Sequence, residues 1–544
     1  MQWEVKKSIT SSKSSASRIV EILLENRGVK NSQEFFNPKH PKDLTLKELG
    51  ISSGEVKKAA ARIKKAIKAK EKIIVYGDYD ADGVCATAIA WEALHSLGAD
   101  VMPYIPERFS EGYGLNKDSI RRLADQNPGL KLILTVDNGI VAHKGVDTAN
   151  KLGIDVIISD HHQKEKKLPK AYATVHTDKI GGAGLAWILA RELGSQSGLE
   201  LAGIGTIADV LPLIGPNRSF AKYGLNDLNT TQRPGLLELL REAALFPGGV
   251  GAYHVGFVIA PRINAMGRLA HALDSLRLLC TPVQARARQL ADLLGKTNSE
   301  RQRIVEEVVA HTRGASKDKS FKGVILLAHE SYHEGVIGLA AAKLVEAHWR
   351  PAVVIAKGSE MSKASARSIP GFNIIAAIRQ LSDLIEEGGG HPMAAGFSIK
   401  TERISEFHQK LDEIAKPLLT DEVLSRSLTV DTEIGFGSLT QDLAEKIADF
   451  DPTGLGNPTP SFATFGVEVL EARSVGGDNK HLKLVLRNQE KVFEAIAFSF
   501  GHLAQKLSLG DQIDIAYNLE ENVWNGHKSL QLKVRDIRAI GQDS

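Results

Sequence analysis

The stretch IIVYGDYDADG, residues 73–83, decides how this chain is read. An apolar run, Lys72–Tyr76, reads as a strand and is followed at once by Asp78, Asp80 and Asp82. Carboxylates crowded together raise one another's pKa unless a cation neutralises them. A turn, an Asp-capped helix start or a metal site would each account for this cluster taken alone. The flanking text decides among them.

Further strands are expected at Asp100–Ile105, Lys131–Val136, Asp155–Ser159 and Ala173–His176. Helical text lies between them, as in CATAIAWEALHSLG (85–98) and AHKGVDTANKLG (142–153), each stopped by Gly. Short continuous apolar strands separated by helices predict a doubly wound parallel sheet covered on both faces. Ligands of such sheets bind beyond the carboxyl ends of the strands. Asp137-Asn138-Gly139 follows LILTV, Asp160-His161-His162 follows VIIS, and Asp209 follows the apolar LAGIGTIA (201–208), read here as a further strand end. Each piece has a plain reading as an Asx turn or a helix cap. Jointly they predict a metal centre. Several carboxylates with an imidazole and no thiolate suit manganese or magnesium, and the histidine favours manganese. Two such ions about 3.5–4 Å apart suit phosphoester hydrolysis.

At 544 residues the chain exceeds one hydrophobic core, so two to four domains are expected. Residues 1–55 read as a helical preamble and 56–270 as the first α/β domain. Residues 271–315 read as a connecting helix broken near Thr281-Pro282. A second α/β domain is expected over 316–420, starting at GVILLAHE. Over 421–544 a Gly/Pro linker, DPTGLGNPTPSF (451–462), leads into strand-like runs that read as a small barrel or sandwich. A net charge of +3 permits a local nucleic-acid track without requiring one. Two cysteines, Cys85 and Cys280, can build neither a disulfide framework nor a zinc set, which suits a reducing compartment. No apolar run is long enough to span a bilayer, so a soluble cytoplasmic protein is expected.

DHH at 160–162 with the DYDAD cluster (78–82) resembles the DHH phosphoesterase superfamily, and GGGHPMAAGF (388–397) resembles the signature of its DHHA1 partner domain. With PRINAMGRL (261–269), HEGVIGLAAAKL (333–344), SARSI (365–369) and the terminal barrel, which resembles an OB-fold, the chain is similar over nearly its whole length to the RecJ family. The resemblance implies an α/β architecture: a DHH domain, a DHHA1 domain joined by a long helix, and a C-terminal OB-like β-barrel. It implies Asp80 and Asp82 as ligands of separate metals, Asp137 as the bridge, and His161 and Asp209 as ligands of the second metal. His162 would lie near the scissile phosphate, and Asp78 would complete the cluster. Tyr76 stands where related pyrophosphatases carry a metal-binding histidine.

For phosphate contact, Gly389 and Gly390 permit close backbone approach and His391 can donate. Ser365 and Arg367 share a face if SARS is a strand, and Arg108, Arg262 and Arg268 are further candidates. Tyr104, Phe109 and Tyr113 are candidate stacking rings for unpaired bases, as is Trp524 in the barrel beside Lys480, Lys483, Arg487, Lys528, Lys533 and Arg535. For each of these the plain reading is core packing or a solvated surface.

The resemblance implies a manganese- or magnesium-dependent exonuclease with two ions. It would degrade single-stranded DNA 5′ to 3′ to mononucleotides, in repair and recombination. Single-stranded DNA is the implied partner, with a single-strand-binding protein or a helicase as candidate protein partners and a monomeric chain. Three alternatives stay open: a phosphodiesterase for short oligoribonucleotides or cyclic dinucleotides, a catalytically silent binding module, and a small-phosphate hydrolase.

Overall fold

The computed structural model describes residues 2–8, 14–112, 114–315, 323–524 and 527–539. Tyr113 and the Trp524 side chain lie outside the described residues. Contacts divide the chain into one unit formed by Trp3–Ala260 with Leu428–Ser544 and a second formed by Pro261–Ser427.

In the first unit, helix α1 (Ala16–Asn26) precedes an alternation of strands and helices. These are β1 (Lys72–Tyr76), α2 (Ala81–Ser96), β2 (Val101–Tyr104), α3 (Lys117–Gln126), β3 (Leu130–Val136), α4 (His143–Lys151), β4 (Asp155–Asp160) and β5 (Ala173–His176). The strands pair in parallel in the order β2-β1-β3-β4-β5. Ile74, Tyr76, Ile133 and Ile158 pack on one face with Ile120 and Leu123 of α3 and Val146 of α4. Ile73, Val75, Leu132 and Leu134 are buried on the other. This double burial is why the strands read as unbroken apolar runs. Chain order reverses between β1 and β3, and a crevice opens at such a switch point beyond the strand ends. Helices α5 (Gly182–Leu193), α6 (Leu199–Ala208) and α7 (Gly215–Asn229) follow.

The second unit begins within α8 (Ala260–Leu269), followed by α9 (Leu273–Cys280) and the 32-residue α10 (Gln284–Ala315). Its sheet uses β6 (Ile325–His329), β7 (Ala352–Ala356), β8 (Met361–Arg367), β9 (Ile385–His391) and β10 (Ala394–Lys400), in the order β9-β10-β8-β7-β6. Helix α11 (Ile337–His348) connects β6 to its parallel neighbour β7.

The first unit is completed by a closed five-stranded barrel of β11 (Phe462–Val475), β12 (His481–Asn488), β13 (Lys491–Ala497), β14 (Gln512–Trp524) and β15 (His527–Ala539). Its order, β11-β12-β13-β15-β14 with β14 returning to β11, has the OB-type parallel pairing of the third and fifth strands. The barrel interior shares one core with the N-terminus: Ile19 and Leu23 of α1 and Phe35 join Phe436, Phe450, Leu484 and Val534. The stretch expected as a linker is anchored to the sheet domain instead. Arg218 of α7, fully buried, donates to the carbonyls of Phe35 (2.7 Å), Asp449 (3.2 Å), Phe450 (3.0 Å), Asp451 (2.8 Å) and Pro452 (3.1 Å). Leu213 N–H donates to the Leu455 carbonyl at 2.7 Å. Among the described residues no helix is long and apolar enough to cross a membrane.

Candidate metal centre

The acidic residues gather at the switch point. Asp80 is the N-cap of α2, accepting from Gly83 N–H at 3.0 Å, so the cap reading and the site reading hold together. Asp82 lies in the first turn of the same helix and is buried. Its carboxylate accepts the Gly182 and Ala183 N–H groups at 2.7 and 3.0 Å, at the N-terminus of α5, where the helix dipole favours an anion. Asp137 follows β3 with φ +63°, a left-handed conformation that turns the chain back at the sheet edge. Two glycines make the crowding possible. A Cβ at Gly182 would stand 2.5 Å from Asp137 Cγ, and one at Gly205 would overlap the Asp82 carboxylate.

Asp209 does not follow a strand. LAGIGTIA lies within helix α6, whose C-cap is Asp209. The run is apolar throughout because α6 is buried on nearly all sides, and periodicity cannot separate such a helix from a buried strand. Asp209 still reaches the same centre, 3.6 Å from His161 Nε2. His161 Nε2 also lies 3.0 Å from Asp137 and 3.9 Å from Asp82.

Three groups result, each with donor atoms within 4.8 Å of one another: Asp78, Asp80 and Asp137; Asp82, His161 and Asp209; and Asp137, His161 and His162. Asp137 belongs to two of them. Burial, then Asp80, pushes Asp78 up to about 8, and burial, then Asp80, pushes Asp209 up to about 6. Burial and the neighbouring carboxylates raise Asp82 and Asp137 well above the usual range. Burial, then His162, lowers His161 to about 4, which keeps its imidazole neutral and able to ligate. Asp78 Oδ1 is buried with no hydrogen-bond partner among the described residues. Hard oxygens, one neutral imidazole and an unsatisfied buried carboxylate oxygen fit divalent manganese or magnesium.

His162 plays a different part. Burial disfavours its charged form, but its Nδ1 lies 2.7 Å from Asp160 Oδ1 and the net effect raises its pKa. Asp160 caps no helix. It is held by Ile140 N–H at 2.9 Å and His162 N–H at 3.1 Å, and orients the His162 ring. The sequence offered Asp160 as a helix cap or as one of the acidic groups at the sheet edge, and did not single it out as the partner of His162. Tyr76 turns away from the centre: its hydroxyl donates to the Gly114 carbonyl at 3.1 Å. Tyr104 packs on Tyr76 with ring centroids 5.1 Å apart, while Phe109 is exposed. Arg108 lies over the Tyr79 ring at 4.9 Å, and its charge acts on Asp78.

The second unit brings the other phosphate candidates together. SARS is the end of β8, and Arg367 donates to Ser365 Oγ at 3.1 Å. A Cβ at Gly338, in the first turn of α11, would stand 3.0 Å from both side chains. Arg268 donates to the Gly335 carbonyl at 3.2 Å, just before that helix. Cross-strand register aligns Ser365 with Gly396 and Gly389, and Arg367 with Ala394 and His391, so one sheet face carries all four candidates with small residues between. Gly390 has φ +153°. Arg262 acts on Arg301 of α10, which the sequence did not single out. On the barrel, Lys483, Arg487, Lys528 and Lys533 are paired with Glu494, Glu468, Glu521 and Glu520, which fits a solvated surface.

Comparison with known proteins agrees with this geometry. Residues 72–210 match the DHH family N-terminal domain, 321–416 the DHHA1 domain and 430–536 the RecJ OB domain. The single-stranded-DNA-specific exonuclease RecJ of Bacillus subtilis is 35% identical over 98% of this chain and 70% of its own length. That of Thermus thermophilus is 36% identical over 89% of this chain and 71% of its own. The crystal structure of Thermus thermophilus RecJ in complex with Mn2+ superposes with a TM-score of 0.82 at 30% identity, covering 99% of this chain and 79% of that one. With its fold, its carboxylate–imidazole centre and these relatives in agreement, the chain belongs to the RecJ family of single-stranded-DNA-specific exonucleases.

Proposed function

We propose that this chain hydrolyses single-stranded DNA from its 5′ end and releases mononucleotides, using two divalent cations. The observation that carries the reading is the sharing of Asp137 between a carboxylate group with Asp78 and Asp80 and the imidazole group of His161. Asp78, Asp80 and Asp137 would hold one ion, and Asp82, Asp137, His161 and Asp209 the other. Two such ions, when bound, would supply a nucleophilic water at neutral pH and charge stabilisation for the phosphoryl oxygens. The chain's own residues do the rest. The Gly182 and Ala183 N–H groups fix Asp82, and Asp160 keeps the His162 proton available toward the scissile phosphate. Arg268, Ser365, Arg367, Gly389, Gly390 and His391 take phosphate oxygens of the strand, and Arg108 and Arg262 serve as further phosphate contacts. The setting that fits is a monomeric cytoplasmic enzyme of repair and recombination, working beside a single-strand-binding protein or a helicase.

The test is digestion of 5′- and 3′-labelled single-stranded DNA with manganese, magnesium or chelator. Immediate release of the 5′ label as mononucleotide, abolished by chelator, is expected. Release from the 3′ end first, or activity that survives chelation, contradicts the reading.

A further inference from the structure

Helix α10 carries a cation that no anion among the described residues neutralises. Arg301 is half-buried in the middle of that helix, and its Nε is sealed from solvent with no hydrogen-bond partner among the described residues. One turn earlier, on the same helix face, Asn298 is 3% exposed, and its Oδ1 likewise has no partner among the described residues. The charged group that acts on Arg301 is Arg262 of α8, which has the same sign. Burial first, and Arg262 second, work against the Arg301 charge. A half-buried guanidinium with a like charge beside it and a sealed, unused Nε–H costs stability unless an anion completes it. The planar fork of arginine fits phosphate oxygens, and the Asn298 amide, turned over about its terminal torsion, offers two more N–H donors.

We infer that Arg301, Arg262 and Asn298 form a binding site for a backbone phosphate of the DNA strand, separate from the Ser365–Arg367 group. The inference rests on the reading of the chain as a single-strand nuclease. It places a phosphate contact on α10 itself, so this long helix of the second unit grips substrate.

The experiment uses the full chain in chelator, with a thymidine oligonucleotide as probe, and compares wild type, Arg301→Gln and Arg301→Lys. Arg301→Gln should weaken binding roughly tenfold. It should lower the slope of log affinity against log salt by about 0.7, the loss of one phosphate contact on a single strand. Arg301→Lys should keep the slope and lose part of the affinity, since it keeps the charge without the fork. The DNA-free Arg301→Gln protein should unfold at the same or higher urea, because a half-buried charge repelled by Arg262 has been removed. A lower urea midpoint with binding and slope unchanged would make Arg301 a structural residue and overturn the inference. Unchanged slope with loss of direct binding of inorganic phosphate or thymidine monophosphate would assign the site to a free phosphate and overturn the strand assignment. Failure of wild type to bind the oligonucleotide would instead refute the nuclease reading, before any variant is compared.

Discussion

His161 Nε2 stands 3.0 Å from Asp137 Oδ1, and this contact joins the imidazole side of the centre to its carboxylate side. The two residues come from the ends of different strands, β3 and β4, so the sheet sets their separation. A neutral ring is held against a carboxylate that burial drives toward protonation. Without a cation this arrangement is strained electrostatically, and the predictions below follow from that.

Gly182→Ala tests the crowding directly. The added Cβ would stand 2.5 Å from Asp137 Cγ, so the carboxylate must move. Helix α5 should tolerate alanine as a helix former, with overpacking costing about 1–3 kcal/mol. Expected are a folded protein by urea titration, weakened manganese binding and a loss of turnover of at least about tenfold, typical when support of a metal ligand is disturbed. Wild-type turnover would show that Asp137 has room to spare.

The chelated protein should lose stability as pH rises. Asp78 is pushed up to about 8 and Asp209 to about 6, so from the ordinary carboxylate range up to about pH 8 the folded state holds more protons than the unfolded one. Stability then falls with increasing pH across that window, and the contribution is fully lost above the higher value. Thermal melts in chelator should give a higher Tm near about pH 5 than near about pH 8, and saturating manganese should flatten the difference. A Tm in chelator that climbs steadily over the same range contradicts this.

Arg218 makes the barrel part of the catalytic unit. Arg218→Met would strip donors from five carbonyls of Phe35, Asp449, Phe450, Asp451 and Pro452. A buried acceptor left unmade costs about 1–3 kcal/mol, so a total of about 3–5 kcal/mol is expected in urea titration. Truncation before Asp451 removes two of these partners, Asp451 and Pro452, together with the barrel side of the core shared with α1. It should therefore destabilise the whole first unit and lower activity on long and short oligonucleotides alike. A stable truncate with full activity on short substrates would mean that the barrel is only a grip.

Arg367→Ala probes end recognition. If Arg367 reads the terminal phosphate with Ser365, activity on 5′-phosphorylated strands should fall roughly ten- to a hundredfold, as for loss of a charge-assisted contact of about 1.5–3 kcal/mol. Strands with a 5′-hydroxyl should be affected much less. Equal losses on both ends would make Arg367 an ordinary backbone contact.

The sheet was legible because its central strands β1, β3 and β4 are buried on both faces and read as apolar runs; with the half-exposed edges β2 and β5 all five strands are marked to within a residue or so. The aspartates and histidines at their ends were legible for the same reason, since strand ends are where the switch point exposes side chains. Asp209 was found but on the wrong kind of element, because a wholly buried helix of small and branched residues has no polar face to show its period. The shared core of Ile19, Leu23, Phe436 and Val534 joins segments more than 400 residues apart, and no local pattern reports such a contact. Arg218 looked like one arginine among many. What singles it out is the row of carbonyls it meets, and that exists only once the chain has folded. Arg301 escaped notice likewise, since its isolation from anions is a property of packing.

The most direct measurement is manganese stoichiometry together with turnover for wild type and Asp137→Ala. Wild type should bind two ions per chain with magnetically coupled signals. Asp137→Ala should remain folded, lose the coupling, bind at most one ion tightly and show no measurable hydrolysis of single-stranded DNA, because the residue shared by both groups is gone. An Asp137→Ala protein that keeps two coupled ions or near-normal turnover would contradict the account.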